Sequence, residues 1–380
     1  MDKPYISTAE NIKEKVASLG LELVGIIDAQ PLQQTRKLLI KRHRLGYCTG
    51  FESTNFFTRT DPASLLPGAK SIVILALPYK RPEHPYHPAP PPPRGKVARC
   101  ARGIDYHRVL EEKALQLVEF LQKELSGSFS YRIGVDKTSL VERALAQKAG
   151  GRIGNHGAYI SPRYGSWAFL GEVLLDLPLT PYRTTGPFSG EAYCSGCGAC
   201  RESCPAGAIG PDAIDPTRCI SYLTQYRGFL PPELRKTMGL HTYGCDSCQE
   251  ACPANQGALY SPLEEMGHVF FPAEPSLIPF MRMSKKEFEL TVGLTSAGWC
   301  GKRTLLRNAI INLGNSRDEA AVPSLDTLLT QDPRKEIRGY AAWSLGAIGS
   351  GQARRALDMQ RTRESEKDVK KEIEEALENG

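Results

Sequence analysis

Eight of the eleven cysteines in this 380-residue chain fall in one short stretch. They run as Cys194-x2-Cys197-x2-Cys200-x3-Cys204-Pro205, then Cys219, then Cys245-x2-Cys248-x3-Cys252-Pro253. A compact loop with cysteines every third residue can wrap three thiolates around one face of an iron–sulfur cubane. The following turn carries the fourth cysteine past that cluster, and in two-cluster proteins of this spacing it ligates the other one. By this rule Cys194, Cys197, Cys200 and Cys252 hold a first 4Fe–4S cluster, and Cys204, Cys219, Cys245 and Cys248 a second. The pattern breaks symmetry at one point. Thr242 stands three residues before Cys245, where a symmetric second motif has a cysteine. Cys219 is the only nearby substitute, so the intervening segment must loop back to the second cluster. Paired zinc knots are the alternative, although zinc sites rarely use the x2-x2-x3 run followed by proline. Thiolate cages of the iron–sulfur kind move single electrons at low potential, so the expected chemistry is a reduction. Cys48, Cys100 and Cys300 lie outside the set and read most simply as free thiols.

Two further groups of residues carry chemistry. Asp136 follows the expected strand Tyr131–Val135, a position where an open α/β sheet presents its ligand crevice. Its plainer role is to order the loop entering the helix expected after Ser139. Lys302, Arg303, Arg307, Arg334, Lys335 and Arg338 cluster in the C-terminal region. A solvated helix face is the default explanation of such charges, and a track for a phosphate backbone is the sharper one.

Three regions position these residues. Residues 1–181 alternate strands and helices, the pattern of an α/β sandwich. Helices are expected from Ser7-x-x-Glu10 to Gly20, from Leu32 to Arg44, from Asp105 to Leu125, and after a capping box at Ser139-x-x-Glu142. Buried strands are expected at Leu21–Ile27 and Ser71–Leu77, and a further strand at Tyr131–Val135. The proline-rich Pro78–Pro93, with Tyr79, His84, Tyr86 and His87, reads as an extended connection. No G-x-G-x-x-G or Walker A run is present. Residues 182–265 form the ferredoxin-like module. Residues 279–380 repeat at a period of 32, with Leu313-Gly314, Leu345-Gly346 and Leu377-Glu378 in step. That is the sign of a short HEAT-like α-solenoid, whose charged last helix, Lys367 to Glu378, is expected to be its solvent-facing cap. The whole chain is thus an α+β multidomain protein.

Composition sets limits on partners and compartment. The net charge of +6 is compatible with a polyanionic partner without establishing one. No apolar run is long enough to cross a bilayer, so no membrane is expected. The opening MDKPYISTAENIKEK has neither an apolar signal core nor a twin-arginine pair, and cysteines in cluster spacing suit a reducing cytoplasm. Nothing in the sequence demands more than a monomer.

The order of the three regions resembles the epoxyqueuosine reductase family. The motifs that carry the resemblance are Arg59-Thr-Asp-Pro-Ala-Ser-Leu-Leu-Pro-Gly-Ala-Lys-Ser71, Gly103-Ile-Asp-Tyr-His107, Tyr164-Gly-Ser-Trp-Ala-Phe-Leu-Gly-Glu172, Cys219-Ile-Ser-Tyr-Leu-Thr224, Tyr243-Gly-Cys-Asp-Ser-Cys-Gln249 and Leu306-Arg-Asn-Ala-Ile310. They touch all three regions. The resemblance implies reduction of the epoxide of epoxyqueuosine at the wobble base of a tRNA. It implies two 4Fe–4S clusters and base-off cobalamin as cofactors, with electrons passing from the clusters to the cobalt. An external low-potential donor must fill the clusters. The resemblance also makes Asp136 the proton donor, and gives Arg59, Cys100, Asp136, Ser221, Asp246 and Ser247 as cobalamin contacts. Lys302, Arg303, Arg307 and Arg338 become tRNA contacts. The chain lacks any D-x-H-x-x-G run, which is consistent with a cobalt that takes no protein histidine.

The chain departs from the family pattern at Leu140, where a proline is usual, near Arg152, where a tryptophan is usual, and near Asn155, where a lysine is usual. These departures keep open a divergent cobalamin-dependent reductase with another substrate. Other readings are an electron-transfer subunit without cobalamin, a reductive dehalogenase, and an RNA-binding solenoid with a structural cluster. Cobalt content separates the first of these from the main reading. The missing export signal and the added helical repeat argue against the second. Loss of any chemical consequence on reduction would mark the third.

Overall fold

The structure, a computed structural model, describes residues 9–82, 90–125, 128–183, 194–211 and 213–379. Its main sheet has five strands in the order Tyr131–Gly134, Ala168–Leu175, Ser71–Pro78, Glu22–Asp28, Tyr182–Arg183. Ser71–Pro78 is buried at every position, which is why its sequence is continuously apolar rather than alternating. All four pairings are antiparallel. The crevice rule that singled out Asp136 belongs to parallel sheets, so that argument does not hold here. Two strands of this sheet are missing from the sequence reading, the short Tyr182–Arg183 and Ala168–Leu175, which pairs along its whole length with Ser71–Pro78.

Helix Tyr106–Glu124 buries Val109, Leu110, Ala114, Leu117, Val118 and Leu121, the stripe its helical spacing dictates. Asp105 caps it by accepting the His107 N–H. Helix Gln33–Arg44 ends ahead of Gly46, whose φ of 75° needs a residue without Cβ. Two sequence expectations change. The Ser139-x-x-Glu142 capping box does not form: helix Glu142–Lys148 starts after Val141 with no side-chain cap. Ser139 Oγ donates to the Thr58 carbonyl at 3.0 Å, and the Glu142 carboxylate accepts the Asp136 N–H instead. Tyr79, at the start of the proline-rich connection, belongs to the core rather than to an open extended segment. It is buried and stacks on Phe169 with ring centres 4.3 Å apart. Ser7, His84, Tyr86 and His87 lie outside the described residues.

The chain divides into two compact units, each assembled from separated stretches. The first takes the described residues within 1–82, 105–217 and 247–268, and the second those within 83–104, 218–246 and 269–380. In the second unit the helices Gly301–Ser316, Lys335–Ile348 and Lys367–Asn379 pack in succession. The 32-residue period has a steric cause. A Cβ at Gly314 would press on Ser344, and one at Gly346 on Ala376, so each repeat offers a glycine to a small residue of the next. The last helix is more than a solvent-facing cap. It buries Val369 and Ile373, and Glu372 accepts two hydrogen bonds from the fully buried Arg235 at 2.6 and 2.8 Å. The Arg235 guanidinium also faces the rings of Phe229, Tyr340 and Trp343. Among the described residues no helix is long and apolar enough to cross a membrane.

Candidate functional site

In the first unit, Asp136 leaves the short strand Tyr131–Gly134 in the left-handed region at φ 53°, a conformation a non-glycine residue adopts only when its surroundings hold it. Two contacts do so. Its N–H donates to Glu142, and its Oδ2 accepts from the Tyr106 hydroxyl at 2.8 Å. Tyr106 is itself fixed, stacked on Phe169 at 3.7 Å and on His107 at 4.1 Å. The Asp136 side chain is thus exposed yet aimed. Beneath it lies Glu172, whose Oε1 accepts from Thr138 Oγ1 at 2.9 Å. Burial pushes the Glu172 carboxyl up to about 7, and the nearby charge of Asp136 adds to the shift. Burial, followed by the charges of Glu172 and Asp136, also raises Glu142. Tyr106 and Glu172 stand inside sequence motifs, yet their roles went unread. The signal for Glu172 was a lone acid inside an apolar strand.

Arg59 is half-buried in the same unit, and its carbonyl accepts the Val141 N–H at 3.2 Å, tying the 59 turn to the segment that follows Asp136. Leu140 is buried in the core. Asn155 Nδ2 lies 3.5 Å from the Cys194 carbonyl, and Arg152 pairs across a two-strand ribbon with Ile160, which packs on Cys252. The unusual side chains at 152 and 155 therefore border the first cluster segment.

All four first-cluster cysteines belong to this unit. Burial, followed by the neighbouring Cys252, Cys194 and Cys197, raises the proton affinity of the Cys200 thiol, and burial with Cys194 and Cys197 nearby raises that of Cys252. Four thiols packed so closely fit a metal–sulfur group that displaces their protons. Short helices Ala199–Glu202 and Ser247–Glu250 set the two halves of this group side by side, and Ser203 Oγ donates to the Ser247 carbonyl at 3.2 Å. Cys204 and Cys248 are also in the first unit, and the Ala208 N–H donates to Cys204 Sγ at 3.3 Å. Cys219 and Cys245 belong to the second unit.

In the second unit Asp246 is buried, and its Oδ2 accepts the Arg99 N–H at 2.7 Å. Burial, with Asp246 nearby, pushes the Cys100 thiol up to about 12, so it stays a thiol. Ser221 accepts from Gln225 Nε2 through its carbonyl at 2.8 Å and its hydroxyl at 3.3 Å. Thr242 explains the break in the cysteine pattern. It is buried on the strand His241–Tyr243 and donates to Asn312 Oδ1 at 2.9 Å, so it serves helix packing.

The C-terminal cations separate into two kinds. Arg307 is buried, and its guanidinium donates to the carbonyls of Leu223, Tyr226 and Gly228. Arg338 forms a two-pronged pair with Glu364 at 2.9 and 3.0 Å. Both hold the fold together. Lys302 and Arg303, with Lys285 and Arg334, line an open groove of about 710 Å³ that Glu289 and Asp332 also border, and there Arg303 pairs with Glu336 at 3.1 Å and Arg334 with Asp332 at 2.6 Å.

Residues 59–137 match the family described as "Epoxyqueuosine reductase QueG, DUF1730", residues 193–255 the 4Fe-4S double cluster binding domain, and residues 301–378 HEAT repeats. An epoxyqueuosine reductase of Bacillus subtilis (strain 168) is 37% identical over 372 residues, covering 97% of this chain and 95% of that one. The chain belongs to the epoxyqueuosine reductase family. It is an oxidoreductase with an α+β multidomain fold, a 4Fe–4S binding domain and HEAT-like repeats. A crystal structure of an epoxyqueuosine reductase with a tRNA-Tyr epoxyqueuosine-modified stem loop superimposes with a TM-score of 0.88 at 36% identity, covering 97% of each chain. A structure of the Bacillus subtilis reductase, in which an aspartate catalytic loop is swung out of the active site, matches at a TM-score of 0.86 and 35% identity, covering 97% of this chain and 98% of that one.

Proposed function

We propose that the chain reduces the epoxide of epoxyqueuosine at the wobble base of a tRNA to the alkene of queuosine. The reaction takes two electrons and two protons and releases the epoxide oxygen as water. The observation that carries this reading is the likeness, over 97% of the chain, to a reductase solved with an epoxyqueuosine-modified stem loop.

The residues support a division of labour. Cys194, Cys197, Cys200 and Cys252 hold one 4Fe–4S cluster, and Cys204, Cys219, Cys245 and Cys248 the other. Cobalamin fits the residues assigned to it in one respect. Arg59, Cys100, Asp136, Ser221, Asp246 and Ser247 include no imidazole, and Cys100 is held as a thiol, so none competes for the cobalt as a strong ligand. When bound, the cofactor supplies a strongly reducing cobalt centre fed by the clusters. Asp136, aimed by Tyr106 and Glu142, gives its proton to the oxygen leaving the epoxide carbon. A loop that holds a residue in the left-handed region suits an acid that must be placed rather than merely present. Lys302 and Arg303 meet tRNA phosphates along their groove. The electrons come from an external low-potential donor, and the protein works as a monomer in the cytoplasm.

Asp136→Ala tests the proton-donor role. The variant should keep its iron and bind cobalamin while losing turnover on epoxyqueuosine-containing tRNA. Undiminished turnover would remove Asp136 from the reaction.

A further inference from the structure

A buried acid with an open oxygen lies under the loop that carries Asp136. Glu172 is 1% exposed in the apolar strand Ala168–Leu175. Its Oε1 takes the Thr138 hydroxyl, and its Oε2 has no hydrogen-bond partner among the described residues. The residue opposite it in the ladder is Gly134, where any Cβ would collide with the Glu172 carboxyl. Residues 134–142 thus wrap around this side chain. Gly134 leaves it room, Thr138 donates to it, and Glu142 turns back to bind the Asp136 N–H. A buried carboxyl placed this way is costly when ionised, and its place next to a reacting acid points to use.

We propose that Glu172, with Glu142, is the proton reserve that reloads Asp136 after each turnover. This rests on the reading of Asp136 as proton donor. Glu172 touches no substrate; it acts through Asp136. In the step, Asp136 has given its proton to the departing oxygen and is a carboxylate. The O–H bond of the Glu172 carboxylic acid breaks, the proton passes through solvent reaching the exposed Asp136 side chain, where a new O–H bond forms, and Glu172 then regains a proton from solvent. No electrons move. Tyr106 already donates to Asp136 Oδ2, which leaves Oδ1 as the oxygen that exchanges the proton.

The charges around the pair favour this role. From the helix after the loop come Glu142 and Arg143, whose Nη1 is taken by the Gly157 carbonyl at 2.9 Å. Arg59 and Arg42 act on Arg143. On the loop, Lys137 pairs with Glu111 at 3.1 Å, and from helix Tyr106–Glu124 His107 pairs with Asp105. The strand on the other side offers Ile74 opposite Glu172, which is apolar. No cation among the described residues forms an ion pair with Glu172, and its carboxyl sits at about 7, so below neutrality it carries a proton. The raised Glu142 works in the same direction.

The test compares E172Q, T138V and D136N holoenzymes with the unaltered protein. Glutamine keeps the shape of Glu172 but has no proton to give. The unaltered enzyme should lose kcat as the pH rises through about 7, with KM for tRNA unchanged. E172Q should lose that limb and turn over at pH 6 about tenfold more slowly. T138V removes the hydroxyl that favours ionised Glu172, so its limb should move to higher pH. Infrared titration of the chain without cobalamin gives a second readout: a neutral-carboxyl stretch with a midpoint near 7 that is absent in E172Q. An E172Q profile that superimposes on the unaltered one while D136N is inactive overturns the reserve and leaves the acid standing. A carboxyl midpoint near 4.5 overturns it as well. Full turnover by D136N defeats the proton-donor reading itself.

Discussion

Gly134 and Glu172 face each other across an antiparallel ladder, and the Glu172 carboxyl fills the space that a side chain at 134 would need. The pairing links the end of one strand to the acid beneath the reacting loop. It also explains why a glycine ends the strand two residues before Asp136: the requirement is room, and backbone freedom plays no part.

Gly134→Ala should therefore push Glu172 out of its place. We expect a loss of about 1–3 kcal/mol in unfolding free energy, the usual cost of overpacking. Turnover should fall while cluster content is unchanged. Denaturant unfolding and iron analysis on the same preparation check both.

The C-terminal cations should separate by experiment as they do in space. Lys302→Ala with Arg303→Ala should weaken tRNA binding and flatten the salt dependence of the binding constant by a slope of about 1–2. Stability should stay within about 0.5 kcal/mol. Arg307→Met should do the opposite. It strips donors from one buried and two half-buried carbonyls and should cost about 2–3 kcal/mol with little change in salt slope. Filter binding across a salt series, alongside thermal unfolding, distinguishes the two.

Acid stability should depend on Glu364. The two-pronged hydrogen bond from Arg338 holds its carboxyl down to about 2, against an ordinary value of 4.5. The folded chain binds this proton less readily than the unfolded one, so the pair's contribution is complete above 4.5 and is lost as the pH falls from there through 2. Glu364→Gln should lower Tm at pH 6 and make its decline between pH 5 and 2 shallower. An unaltered decline would show that the pair does not set acid stability.

Much of this was legible in the sequence, for physical reasons. The cysteine spacing is the imprint of a rigid cluster, and the period of 32 reflects glycines that must meet Ser344 and Ala376. The sheet was harder. Ala168–Leu175 carries a glutamate, so it did not read as a buried strand, and the antiparallel order of strands far apart in the chain leaves no local trace. Ser139 and Glu142 match a capping box by type, but both side chains are claimed by partners distant from the cap, Thr58 and Asp136. Arg307 looked like a surface cation because Lys302 and Arg303 stand one turn before it. Only the fold shows that three carbonyls surround it.

The most direct test of the account is product analysis with the anaerobically prepared protein, supplied with cobalamin, a low-potential reductant and tRNA carrying epoxyqueuosine. The preparation should hold about eight iron atoms per chain, the content of two cubanes. It should bind cobalt and convert epoxyqueuosine to queuosine, with no conversion when cobalamin is left out. Protein replete in iron and cobalt that leaves the epoxide intact would contradict the account.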